Sequence, residues 1–301
     1  MTLVGAMIGV IILIGLMVVL FKPRPDAPPA RAPKATNPAT LGSRSSDAER
    51  ILARIKAMAA PTLLMKPATS EGFSKLGGDP ELPRDMDWPL GPEGPLGFLA
   101  QVDLAATRHA GGPDWLPSEG AIYVFYDDRF GMRDQIRIVF STIEAGPQIE
   151  PPATQKRGWR RPERRVGFSL HTSVPSLNWL GEDVRKIDLS DGDLDELSDL
   201  PGIELGDGPH HRLGGYPMEI QEEQLPVYAE CETRGLEYRA NALTPPDIEQ
   251  AAADWRLLIQ IDSDSALKMN WGDGGQFYVL IREQDARAGD FSQMVTLSQT
   301  Y

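Results

Sequence analysis

The sequence holds one cysteine, Cys231, so no internal disulfide can form. A reducing compartment fits that usage. Four histidines are present, and no HExxH or Cys/His zinc spacing occurs among them. No GxSxG elbow, P-loop or GxGxxG fingerprint appears either. These absences lower the expectation of an enzyme, and neither a cofactor nor a metal is expected. Asp191-Gly-Asp193-Leu-Asp195 imitates a calcium loop, but Glu196 stands where glycine is needed and Gly202 where glutamate is needed. Basic charge is short overall, with 30 Lys and Arg against 43 Asp and Glu and a net charge of −13. That balance disfavours nucleic acid as a partner of the whole surface.

Residues 2–21 lack any charged side chain. Twenty residues at about 1.5 Å each span roughly 30 Å, the hydrocarbon thickness of a bilayer. A cleaved signal peptide is the weaker alternative, because no Lys or Arg precedes the run. Lys22, Arg24, Arg31 and Lys34 all follow it, so the positive-inside rule places the C-terminal body in the cytoplasm. The expectation is a single-pass inner-membrane anchor over residues 1–21. Residues 22–45, rich in Pro and Ala, read as a semi-extended linker.

The remaining chain, 46–301, has ordinary globular composition, with 41% hydrophobic and 24% charged residues overall. Twenty-nine glycines and 26 prolines favour a loop-rich, strand-rich body. Ser46 with Glu49 forms a capping box, and Ile51, Leu52, Ile55 and Met58 follow at helical spacing. Strands are expected at 63–65, 96–104, 121–126, 136–140, 166–170, 257–261 and 276–281. Helices are expected at 188–200, 220–228, 247–255 and 283–291.

Three segments recur in the same order. Lys75-Leu-Gly-Gly-Asp-Pro80 matches Arg212-Leu-Gly-Gly-Tyr-Pro217; Phe98-Leu-Ala-Gln-Val-Asp103 matches Leu257-Leu-Ile-Gln-Ile-Asp262; Gly120–Phe125 matches Gly275–Leu280. Three matches in register indicate duplication, and two copies make one domain rather than a solenoid. The expected architecture is α+β and β-rich: a single domain of two pseudo-symmetric halves, about 62–170 and 205–292, with antiparallel or mixed sheets and a few peripheral helices. Gln101 and Gln260 each sit between apolar neighbours, so their amides must find buried partners. Asp103 and Asp262 lie two residues on, on the same strand face.

Leu76-Gly-Gly-Asp-Pro80, Trp88-Pro89 and Phe98–Asp103 resemble the N-terminal signature of the YwqG-like proteins, a bacterial family with a domain of unknown function. His211–Pro217 resembles its middle motif, and Leu257–Ser263 with Asn270–Gly275 its C-terminal signature. The resemblance covers about residues 60–292 and implies a compact β-rich domain, with no catalytic residues to carry over. Some members neighbour toxin systems, which adds a toxin-neutralising partner role as an alternative.

Two stretches carry candidate chemistry. Asp262, Asp264 and Asp273 surround Trp271-Gly-Asp-Gly-Gly275, where carboxylates beside a glycine turn suit a cation, sugar or amine, and Trp271 offers a stacking face. The structural alternative is plain turn chemistry. A cleft between the halves would then be lined by Trp88, Gln101, Asp103, His211, Gln260, Asp262, Asp264, Trp271 and Asp273. A binding module is the first reading, and a hydrolase using Asp103, Asp262 and Asp273 as acid and base is the alternative. Lys156, Arg157, Arg160, Arg161, Arg164 and Arg165 put six basic residues in ten. Anionic lipid is their best partner, a solvated loop the structural alternative, and nucleic acid with Trp159 stacking a further one. A protein partner for the module is also allowed.

Overall fold

The structure, a computed structural model, describes residues 46–301 less 69–71, 128–135, 157, 182–183, 185–186, 188, 194–207, 222–223 and 241. The expected anchor, the linker, most of the acidic helix 188–200 and Arg157 lie outside the described residues. Among the described residues no helix is long and apolar enough to cross a membrane. Arg44–Tyr301 forms one compact unit.

The unit is built on an antiparallel sheet that is nearly a barrel. Its strands are β1 (Ala60–Pro67), β2 (Lys75–Leu76), β5 (Gly97–Asp103), β6 (Ala121–Tyr126), β7 (Ile136–Ser141), β8 (Arg164–Ser173), β9 (Arg212–Leu213), β10 (Trp255–Asp262), β11 (Gln276–Arg282) and β12 (Val295–Gln299). Two short strands, β3 (Leu90–Gly91) and β4 (Gly94–Pro95), pair separately. The order across the main sheet is β12-β11-β10-β9-β1-β8-β2-β5-β6-β7. It reads the same way outward from its middle. β1 and β8 pair at the centre, and each side adds a two-residue strand, a long strand, its neighbour and an edge.

The repeat is exact in register. Lys75 lies opposite Gln101 and Leu76 opposite Ala100; Arg212 lies opposite Gln260 and Leu213 opposite Ile259. Both long strands carry a bulge at the same place, between Phe98 and Ala100 and between Leu257 and Ile259. The bulged carbonyls of Leu99 and Leu258 accept from Gly77 and Gly214, at 2.7 and 3.3 Å. Those glycines open tight turns with φ of +63° and +65°, and the second glycines, Gly78 and Gly215, have +72° and +67°. Positive φ at two successive positions explains why both copies keep Gly-Gly. The halves differ from the sequence expectation in extent. β1 and β8 belong to the shared centre, so one repeat runs from β2 to β7 and the other from β9 to β12.

The sheet folds its two arms face to face. Ile122 and Val124 of one arm and Phe277 and Val279 of the other share one buried cluster. The Tyr126 ring lies 5.0 Å from Trp271 and 5.6 Å from Phe277. Each such side chain contributes about 1.5–3 kcal/mol when fully buried. The alternating residues face outward, away from that core: Tyr123 and Phe125 under loops carrying Leu82 and Leu96, and Tyr278 and Leu280 under a helix.

Helices among the described residues include α1 (Ser46–Ala57), α2 (Leu104–His109), α3 (Leu225–Arg234), α4 (Pro246–Ala252) and α5 (Glu283–Ala288). α1 buries Ala48, Ile51, Leu52 and Ile55, as its spacing predicts. α2 replaces the last residue of an expected strand, because Asp103 caps it through the amides of Ala105 and Ala106. α3 begins later than expected, with Pro226 in its first turn. α4 ends before Trp255, which already belongs to β10.

Candidate functional site

The two glutamines are fully buried and do not face a shared cavity. They stand on β5 and β10, with β9, β1, β8 and β2 between them. Gln101 Oε1 accepts from the Glu81 amide at 2.9 Å, and Gln260 Oε1 accepts from the Met218 amide at 2.9 Å. The carbonyls of the same two residues accept from Tyr123 Oη at 3.0 Å and Tyr278 Oη at 2.8 Å. Each repeat thus uses one Gln and one Tyr to hold both backbone groups of the residue after its Gly-Gly-X-Pro turn. Buried backbone groups require such partners. Burial, helped by the Glu81 charge, pushes the Tyr123 hydroxyl up to about 12, and burial first raises Tyr278 further, so both remain donors at neutral pH.

The sequence-predicted residues separate into groups. His211, Gln260, Asp262 and Asp264 come together. Gln260 Nε2 donates to Asp262 Oδ1 at 2.7 Å, and the His210 amide donates to Asp262 Oδ2 at 2.6 Å. His211 Nδ1 accepts from the Asp262 amide at 3.2 Å, which leaves the proton on Nε2, 3.4 Å from Asp264 Oδ2. Asp264 also accepts from Arg164. The bond from His211 and the Arg164 charge hold its carboxyl well below the usual range against the opposing effect of burial. Trp271 is buried beside Tyr126 and Phe277. Asp273 is exposed on its turn. Asp103 caps α2, and Trp88 Nε1 donates to the Leu96 carbonyl at 2.9 Å, so both are set apart in the first repeat.

The described part of the basic segment is engaged within the fold. Lys156 pairs with Glu93 at 3.3 Å, Arg165 with Glu81 at 3.0 Å and Glu163 at 3.1 Å, and Arg160 with Asp79. Arg161 stacks 5.3 Å from the Trp271 ring and donates to the Lys268 carbonyl. Burial lowers its pKa. Trp159 is only 8% exposed, which removes it as a stacking platform for a base.

Sequence reasoning missed a cavity of about 480 Å³. Its wall is assembled from the end of α1, the loop after α2, the second Gly-Gly turn, the α3 and α4 region and the start of β10. Trp115, Trp179, Trp255 and Tyr216 give it an aromatic lining, with Arg54 and Arg256 among its polar groups. Its volume falls in the range of small-molecule pockets, roughly 300–1,000 Å³. Trp179 and Tyr216 meet edge to face at 5.2 Å and 89°. Trp179 Nε1 donates to Glu219 at 2.7 Å and Trp255 Nε1 to Glu230 at 2.9 Å, so both rings are oriented in advance. Arg256 is held by Glu283 at 2.9 Å. Burial raises the Tyr216 hydroxyl, which keeps it a donor. None of the aspartates singled out from the sequence lines this space. No local pattern points to it, since every wall comes from a different part of the chain.

Cys231 is buried, and burial with the neighbouring Glu230 charge raises its thiol, which makes it a poor nucleophile. Among the described residues no group of three His, Cys, Asp or Glu side chains could hold a metal ion.

Fold and cavity together define a β-rich domain of duplicated strand order with an aromatic-walled pocket. The profile of a domain of unknown function, DUF1963, matches residues 74–299. The chain belongs to that family. No curated protein matches it.

Proposed function

We propose that this chain is a YwqG-like binding module, held at the cytoplasmic face of the inner membrane by residues 2–21, that takes a small amphipathic molecule in its aromatic cavity. The supporting observation is the cavity itself: about 480 Å³, with Trp179 and Trp255 already anchored by carboxylates. Rings fixed before binding spare the ligand part of the ordering cost. The hydrolase alternative draws no comparable support, because Asp103 and Asp262 are engaged in a helix cap and in side-chain and amide bonds.

The test uses the full chain in nanodiscs and 1-naphthalenemethanol as probe, followed by isothermal titration with empty nanodiscs subtracted. Saturable heat is expected, and Ala60→Phe, which fills the cavity from β1, abolishes it. Absence of saturable heat from any naphthalene probe would refute the reading.

A further inference from the structure

Most polar groups of the cavity wall already have partners. Arg256 gives Nε and Nη2 to Glu283 at 3.0 and 2.9 Å, and Nη1 to the carbonyls of Ala253 and Trp255 at 2.7 and 3.0 Å. Asp114 pairs with Arg287 at 3.4 Å. Arg54 and Glu249 are engaged as well. Two cations thus line the space beside two carboxylates, so the wall carries no net charge for a ligand to complement. The Thr244 hydroxyl donates to Gln224 Oε1 at 3.5 Å. Trp179 and Trp255 give their ring nitrogens to Glu219 and Glu230.

Two donors of the lining are left over. Trp115 Nε1 and Tyr216 Oη have no hydrogen-bond partner among the described residues. Neither is sealed in protein as Trp271 Nε1 is. Both residues line the cavity. Trp115 is 8% exposed and packs into the main core cluster. Arg108 fixes its backbone, donating to the carbonyls on either side, Asp114 at 3.0 Å and Leu116 at 2.9 Å. The loop that bears it adjoins the turn that bears Tyr216, since a Cβ on Gly214 would meet Pro113 at 2.3 Å. Tyr216 is set in turn by its amide, which donates to Ser173 Oγ at 2.9 Å, and by the Trp179 ring. An indole N–H only donates, and burial keeps the Tyr216 hydroxyl protonated.

We propose that the cavity takes a neutral apolar molecule bearing a carbonyl group, whose oxygen accepts from Trp115 and Tyr216 while its hydrocarbon body lies against Trp179 and Trp255. This rests on the pocket reading above and names its ligand class. A carbonyl oxygen has two lone pairs and no proton, so it suits two donors and asks for no acceptor. A carboxylate would give up its hydration with no unpaired cation in the wall to receive it. A hydrocarbon of the same shape would leave both donors facing carbon. A site built to bond a polar group rejects the analogue that lacks it.

The experiment compares 2-acetonaphthone with 2-isopropenylnaphthalene, in which a CH2 group replaces the oxygen, and with 2-naphthoate. Each is titrated calorimetrically into the full chain in nanodiscs, with empty nanodiscs subtracted. The ketone is expected to bind at least threefold tighter than either comparator. Tyr216→Phe and Trp115→Phe, which remove one donor each and keep a ring, both bring the ketone's advantage over the alkene to about one or below. If Trp115→Phe fails to fold by circular dichroism, Tyr216→Phe carries the test, and the wild-type comparison needs no variant. A smaller wild-type preference, an advantage that survives substitution of either donor in a folded variant, or tighter binding of the acid overturns this inference and leaves the pocket reading standing. Absence of saturable heat from all three probes overturns the pocket reading itself.

Discussion

Gln260→Ala is the most direct probe of how the repeats are held. The substitution removes two bonds, from the Met218 amide at 2.9 Å and to Asp262 Oδ1 at 2.7 Å. Orphaning a buried amide costs about 1–3 kcal/mol, and losing a bond to a charged group about 1.5–3 kcal/mol. The expected destabilisation is therefore about 3–5 kcal/mol, or a fall in Tm on the order of 10 °C for a domain of this size. Urea titration followed by tryptophan fluorescence reads it as a lower midpoint at unchanged slope. Tyr278→Phe removes the other hold on Met218, at 2.8 Å, so the two changes share a partner and should couple by about 0.5–3 kcal/mol. Gln101→Ala with Gln260→Ala should instead add within about 0.5 kcal/mol, since the glutamines serve separate turns. A loss below about 1 kcal/mol for Gln260→Ala would refute the role given to its two bonds, and strong coupling between the two glutamines would show that they act across a common space after all.

Asp264 makes stability depend on pH. Its folded pKa lies below the unfolded value, so its contribution is complete above about pH 4 and is lost as pH falls toward the folded value. Asp264→Asn keeps the cap on the 265–267 turn and loses the Arg164 pair. The stability difference between wild type and variant should be constant above about pH 5 and shrink below about pH 4; a difference that grows on acidification contradicts the assignment. The proposed cytoplasmic placement predicts that protease added to intact spheroplasts leaves the body of 46–301 whole until the membrane is lysed. Cleavage of the body before lysis would reverse the orientation.

The glutamines show how far a sequence carries such an argument. Gln101 and Gln260, each flanked by apolar strand residues, had to be hydrogen-bonded, and they are. Their faces were not legible, because a strand pattern with apolar residues on both sides does not say which side meets the other arm. Asp103 illustrates a local rule, a carboxylate at a helix start, hidden inside an expected strand. The basic run at 156–165 looked like a free patch because, Glu163 apart, the acidic partners that bury into it lie far off in sequence. Asp79 and Glu81 precede it by about eighty residues, and Asp264 follows by a hundred. Distance along the chain removes such pairs from any local pattern.

What the sequence determined by itself was the duplication, the strands that carry it, and the Gly-Gly turns, since each depends on spacing or backbone freedom within a few residues. Only the tertiary structure decided that β1 and β8 join the copies at the centre, because two-residue strands such as β2 and β9 have no periodicity of their own. It alone also decided the cavity, whose walls come from segments as far apart as Arg54 and Arg256.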